Sequence, residues 1–257
     1  MAETGIYLHC DFHVHTRYSP CAQPEMVPKD IVDRARERGV KYLGLTDHVF
    51  GFTDPAILKH ARQDCPPCDG NPEVLFGCEA DVMSVGRTAV TREMIDTLDY
   101  IMVAANHFTN EWQKMVEMPL SNEPEVVGRH FLKMFNYAAT LDYADVIVHP
   151  FYVIPGSFDV RSIYTLTEND LMPGIESAAA NGVAVEISRR SITPEHIDFL
   201  TPFYRLCKKA GVKFSVGSDS HRLEDVGRTD LLTPLISELG LQDGDFWIPK
   251  KNGGKIE

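Results

Sequence analysis

Seven short apolar stretches, at residues 6–14, 42–45, 74–78, 100–104, 145–148, 183–187 and 212–216, constrain this chain more than any other feature. Polar residues close each one, and helix-like patterns at 29–38, 56–62, 91–98, 124–141, 167–181, 194–210 and 231–239 lie between or after them. Gly39, Gly211 and Gly240 stand where three of these patterns stop, and Thr91 is placed to cap the third. Alternation of short strands with helices implies parallel pairing through right-handed crossovers. A length of 257 residues suits an α/β barrel, and no repeat, linker or composition shift divides it. The expectation is one barrel-like domain over residues 1–257 with seven β–α units; an open doubly wound sheet is the alternative.

The first stretch carries Asp11-Phe12-His13-Val14-His15. Side chains alternate along a strand, so Ile6, Leu8, Cys10, Phe12 and Val14 form one apolar face. The other face holds Tyr7, His9, Asp11, His13 and His15. His13 and His15 then project side by side, able to grip one metal ion, with Asp11 placed to orient them. His9 would lie deeper, behind them. Two histidines on a solvated strand face would read the same, so this pair alone decides nothing.

The other strand ends decide it. After His13 and His15 come His48, Glu79, His107, His149, and Asp219 with His221. Six of the ten histidines therefore stand at strand ends, which chance does not produce. In a barrel these ends converge on the C-terminal face, where active sites lie. Imidazole with carboxylate suits Zn, Mn or Fe, and the donors outnumber what one ion needs, so two or three divalent ions are expected. His9, His60, His130 and His196 are assigned to packing or surface, with a supporting place behind the pair as the alternative for His9.

Composition excludes other classes. A formal net charge of −12 opposes binding to nucleic acid or an anionic membrane. No stretch approaches the roughly 20 apolar residues of a membrane span. The start, Met-Ala-Glu-Thr-Gly, lacks the pattern of a secretory signal, so a cytoplasmic location is expected. There the six cysteines are reduced thiols. Cys65-Pro66-Pro67-Cys68 has no second ligand pair and reads as loop rather than zinc site. Cys78 should point away from the face that Glu79 uses. Trp112, Met115 and Met118 read as loop residues over a hydrophobic edge, the alternative being a lid.

The ordered set His-x-His, Thr-Asp-His, Glu, His-Phe, His-Pro and Ser-Asp-Ser-His, from Asp11 to about Arg222, resembles the PHP family, named for polymerase and histidinol phosphatase. The resemblance implies a distorted (β/α)7 barrel of TIM-like type, a trinuclear metal site and phosphoesterase activity on a small phosphate ester. One metal would be held by His13, His15, Glu79 and Asp219. Glu79 would bridge to a second ion on His107 and His149. A third would use His48, His221 and Cys21, the last standing where family members often carry histidine. Cys21 is either a thiolate ligand or a spectator in the Ser-Pro-Cys turn, with Glu25 then completing the site. Arginines from strand-end loops bind substrate phosphate in the family, which points to Arg189 and Arg222, then Arg190, with Arg17 weaker. No general acid is assigned for the leaving group; Asp219 would serve if its free oxygen faces the substrate. An amidohydrolase cleaving C–N bonds would normally carry a metal-bridging lysine where this chain has Glu79. A non-catalytic metal- or phosphate-binding module would show decayed ligands, and only Cys21 departs.

Overall fold

The computed structural model describes residues 5–67, 70–108 and 115–249. Seven parallel strands form one sheet in the order β1 (Cys10–Val14), β2 (Tyr42–Val49), β3 (Glu73–Ser84), β5 (Tyr100–Ala104), β6 (Val146–Val148), β7 (Ala184–Ser188) and β8 (Phe214–Gly217). The short β4 (Arg87–Thr88) folds back antiparallel on the end of β3, outside this series. Beyond β8 the chain meets β1 again: His15 N donates to Ser220 O at 3.0 Å and Ser220 N to His13 O at 3.3 Å. The sheet is thereby almost closed into a barrel of seven β–α units rather than left as an open doubly wound sheet. Helices α1 (Pro28–Glu37), α2 (Ala56–Asp64), α3 (Arg92–Thr97), α4 (Pro124–Ala138), α5 (Glu168–Asn181), α6 (Pro194–Ala210) and α7 (Thr233–Leu239) lie between the strands or after the last. The sequence signals account for their ends. Thr91 and Thr167 each accept a bond from the backbone N–H three residues on, and Gly182 and Gly211 close α5 and α6 in the left-handed conformation.

The barrel interior is filled from below by Tyr100. Its hydroxyl crosses from β5 to donate to Phe12 O of β1 at 2.7 Å. A Cβ at Gly44 would lie 1.8 Å from that hydroxyl, and one at Gly77 2.8 Å from the ring, so β2 and β3 make room by having no side chain there. Trp247 closes the cluster, 5.7 Å from Phe12 and 5.6 Å from Tyr100 between ring centroids.

The first stretch departs from the expected single strand. Ile6–His9 is a 3-10 turn, and the strand begins only at Cys10. Tyr7 anchors the turn, its hydroxyl 3.0 Å from Thr233 Oγ1 and its ring stacked on Phe246. His9 consequently lies outside the barrel, with Nδ1 3.1 Å from Gly39 O, and not behind the metal-binding pair. Strict alternation also fails, because pairing with β2 slips between Asp11 and Val14. Asp11 turns to Ser218 and Gly227, accepting from Ser218 N at 2.8 Å, Ser218 Oγ at 2.7 Å and Gly227 N at 2.7 Å. It fastens the segment after β8 and reaches His13 through that residue's backbone N–H, not through the imidazoles.

Cys78 is buried in the hydrophobic core, on the side away from Glu79. Met118 packs against that core and Met115 is partly exposed beside Gly51. Trp112, Cys68 and the polar end at 250–257 fall outside the described residues. No helix among the described residues is long and apolar enough to cross a membrane.

Candidate metal centre

Parallel register brings the strand-end residues to one mouth. His48 on β2 is paired with Glu79 on β3, so their side chains emerge together. Glu79 is fully enclosed by imidazoles. Its Oε1 lies 2.8 Å from His149 Nε2 and 3.3 Å from His107 Nε2. Its Oε2 lies 3.3 Å from both His13 Nε2 and His15 Nε2 and 2.9 Å from His48 Nδ1. The two oxygens of one carboxylate thus face two different sets of histidines. Asp219 Oδ1 approaches from β8, 3.3 Å from His15 Nε2 and 3.4 Å from His221 Nδ1.

The far sides of four rings are braced. His13 Nδ1 meets Glu186 Oε1 at 2.8 Å, His107 Nδ1 meets Asp81 Oδ1 at 2.8 Å, and His149 Nδ1 meets Asn106 Oδ1 at 3.0 Å. Ser19 Oγ donates to Asp47 Oδ1 at 2.7 Å, so it can only accept from His15 Nδ1, 3.2 Å away. These acceptors hold protons on Nδ1 and aim the Nε2 atoms inward, where each can ligate a metal once it is unprotonated. The Nε2 atoms of His13 and His15 then confront each other at 3.1 Å. At that distance either a proton on His13 Nε2, donated to His15 Nε2, or a metal ion between the rings satisfies the pair. Glu79 Oε2 and His48 Nδ1 are buried without an aligned hydrogen bond. A metal ion is what such donors fit. Among the described residues four trios converge closely enough to share an ion: His13, His15 and Asp219; His13, Glu79 and His149; His48, Glu79 and His107; and His15, His48 and His221.

Backbone strain is concentrated in the same place. His149 and Asp219 have φ of 26° and 51°, left-handed values uncommon outside glycine. Glu186 holds the first of them, accepting from His149 N at 2.8 Å through the oxygen not facing His13. Gly217 lets Glu186 come this close, since a Cβ there would lie 2.5 Å from Glu186 Oε1 and 2.4 Å from His13 Cβ.

Charge follows from burial and proximity. Burial opposes ionisation of Glu79, but His48, His13 and His107 outweigh it and hold the carboxyl well below the usual range. Asp219 is likewise held down against burial by His13, His15, His221 and Arg190. In return His13 and His48 are raised against burial, His13 chiefly by Glu186 and Glu79, His48 chiefly by Glu79. His15 is lowered by burial and by the neighbouring His221 and His48. An ionised Asp219 suits a metal ligand.

Above the cluster opens a cavity of about 320 Å³. Cys21 lines it beside His48 and His221; burial pushes its thiol up, but hydrogen bonding to and the charge of those rings bring it down to about 6. Glu25 is exposed and does not line the cavity. Of the arginines, Arg190 reaches the cavity, with Nη1 3.0 Å from His221 Nδ1 and 3.8 Å from Asp219 Oδ1. Arg189 is turned away to Asp225 at 2.7 Å, and Arg222 is exposed against Glu224 at 3.1 Å. Arg17 pairs with Asp64 at 2.6 Å. His130 and His196 are structural, bonded to Glu117 O and to Val153 N and Thr193, and His60 is exposed.

Sequence reasoning missed Glu186, Asp81, Asn106 and Ser19. Two of them carried a signal. Glu186 is a lone charge inside an otherwise apolar strand, and Asp81 follows Glu79 by two residues, hence on the same face.

Fold and site together define a barrel whose C-terminal mouth is a buried histidine–carboxylate centre able to take metal ions. Residues 11–232 match the PHP domain family, and the chain belongs to it. It is 25% identical over 244 residues to a protein of Acetivibrio thermocellus named "Probable phosphatase", covering 90% of this chain and 87% of that one. A "Probable phosphatase" of Caldicellulosiruptor bescii is 24% identical over 240 residues, covering 91% and 88%. Among solved structures, the histidinol phosphate phosphatase of Lactococcus lactis, complexed with zinc, L-histidinol and phosphate, superposes with a TM-score of 0.65 at 16% identity, covering 90% of this chain and 94% of that one. At that identity the likeness speaks for the fold.

Proposed function

We propose that this protein is a metal-dependent hydrolase of small phosphate esters, working at the barrel mouth with two or three divalent ions. The observation that carries this reading is Glu79, whose two oxygens face separate histidine sets beneath a cavity edged by one arginine. His13, His15 and Asp219 would hold one ion, with Glu79 shared toward a second on His107 and His149. His48, His221 and the Cys21 thiolate would hold a third, for which zinc is the softest match. When bound, such ions supply a water acidified to near neutrality and positive charge for the phosphoryl oxygens. Arg190 adds the remaining positive contact to the phosphoryl group, the role that sequence assigned first to Arg189 and Arg222. Glu186, Asp81 and Asn106 keep the ligand rings in one tautomer, and Asp219 stays ionised. PHP membership and relatives named as phosphatases support the same chemistry.

The test is a panel of phosphomonoesters, phosphodiesters, amides and lactones offered to protein loaded with Zn, Mn or Fe. Phosphoester turnover should vanish with chelator and return with metal, and Arg190→Ala should raise KM about tenfold or more, as loss of a charged phosphate contact does. Turnover of an amide or lactone with none of any phosphoester would overturn the reading.

A further inference from the structure

The cavity walls say more about the ester than the metal cluster does. Apart from the candidate ligands, they consist of Phe50, Tyr152, Ile154, Pro155 and Arg190. The only cation among these is Arg190, which sits over the histidine cluster where the phosphoryl group would go. The remaining wall is apolar or aromatic. Resting on the phosphate-ester reading, we propose that the alcohol released is small, uncharged and apolar, and that the pocket selects against amino alcohols.

A substrate ammonium would need a carboxylate or an open aromatic face. Among the described residues the carboxylates lining the cavity are Glu79 and Asp219, both engaged by imidazoles. Neither aromatic ring offers a cage. Phe50 is sandwiched, its centroid 4.9 Å from His48 at 21° and 5.8 Å from Phe52 at 29°, so it meets the cavity with its edge. A ring edge carries partial positive charge and repels a cation. Tyr152 is packed between His149 at 6.2 Å and His196 at 5.0 Å. An ammonium placed here would lie unpaired in a half-buried wall near Arg190 and any bound metal, which is costly. An alkyl or aryl group would instead cover Ile154, Pro155 and the Phe50 edge. A volume of about 320 Å³ has room for a phosphoryl group together with such a side group.

Two isosteric phosphonates, butylphosphonate and 3-aminopropylphosphonate, test this by calorimetry on the metal-loaded protein, alongside turnover of the matching phosphate esters. Butylphosphonate should bind about tenfold tighter or more, a discrimination within reach of one unpaired polar group. Ile154→Asp, which puts a carboxylate in the wall, should shrink that ratio about tenfold, while Ile154→Asn leaves it within about twofold. Equal or tighter binding of the amine by the parent protein, or a ratio unmoved by Ile154→Asp, overturns the proposal. Preserved phosphonate selectivity with neither ester hydrolysed supports the pocket assignment and overturns the hydrolase reading alone. Failure of both phosphonates to bind overturns both.

Discussion

Glu79 stands at the meeting point of five imidazoles, and its removal is the sharpest single-residue test of the site. Glu79→Gln keeps the shape but loses the charge. It should remove most bound metal, read by elemental analysis, while the far-ultraviolet spectrum of a folded barrel persists; full metal content in the variant would exclude a bridging carboxylate. Glu186→Gln probes the brace instead. Loss of the carboxylate behind His13 should weaken metal affinity about 10- to 100-fold in a chelator competition, without abolishing binding. Protons compete for the same atoms. Burial disfavours the charged form of His107, but Glu79 and Asp81 outweigh it and raise it from 6.5 to about 9. Raised in the folded state, this proton stabilises the metal-free protein fully below about pH 6.5, and that contribution is lost as pH rises through about 9. Metal-free protein should therefore lose thermal stability across that window, while apparent metal affinity climbs over the same range, because the ligand must be neutral. Calorimetry with and without chelator reads both; a flat metal-free profile would contradict the assignment. These residues were legible because each stands directly after an apolar run. Their braces were not, since Glu186 and His13 are 173 positions apart and only the closed sheet joins them.

At the level of elements, strands and helices followed from periodicity and caps, and most boundaries fall within a few residues of expectation. The errors share one cause, that tertiary contacts override local pattern. The alternation through 6–14 looked continuous, yet Tyr7 is pulled to Thr233 and the register slips after Asp11. Likewise β3 runs five residues past Glu79, because its end is paired by β4. Arg189 and Arg190 are indistinguishable as letters, and only the turn after β7 sends one to Asp225 and the other to the cavity. Tyr100 offers an element-scale test, since it ties β5 to β1 across the barrel. Tyr100→Phe leaves Phe12 O buried and unsatisfied, so it should cost about 1–3 kcal/mol in denaturant unfolding. A loss below that range would mean the strand contact is held by packing alone.

For the whole molecule, the expectation of one domain from end to end remains our reading, and the family match over residues 11–232 begins inside β1 and runs past β8. The net charge of −12 is partly gathered at the mouth, where Glu79 and Asp219 are ionised. Cations bound there would offset that charge and stabilise the fold by mass action, about 4 kcal/mol at a thousandfold excess over Kd. This stabilisation has a location. β1 meets the segment after β8 through His15 N, Ser220 N and the Asp11 carboxylate, and the candidate ligands stand on both sides of that join, His13 and His15 on one, Asp219 and His221 on the other. A metal ion held there would act as a rivet through the seam where the cylinder was rolled shut. Drawing it with chelator should speed amide hydrogen exchange first at His15 and Ser220, well before Val146–Val148 in the middle of the wall. Exchange that quickened evenly around the sheet would mean the cylinder stays shut without its rivet. If the seam opens first, this enzyme's hold on its metal and its hold on its own shape are one property, and a cell short of metal would carry a split barrel rather than an idle one.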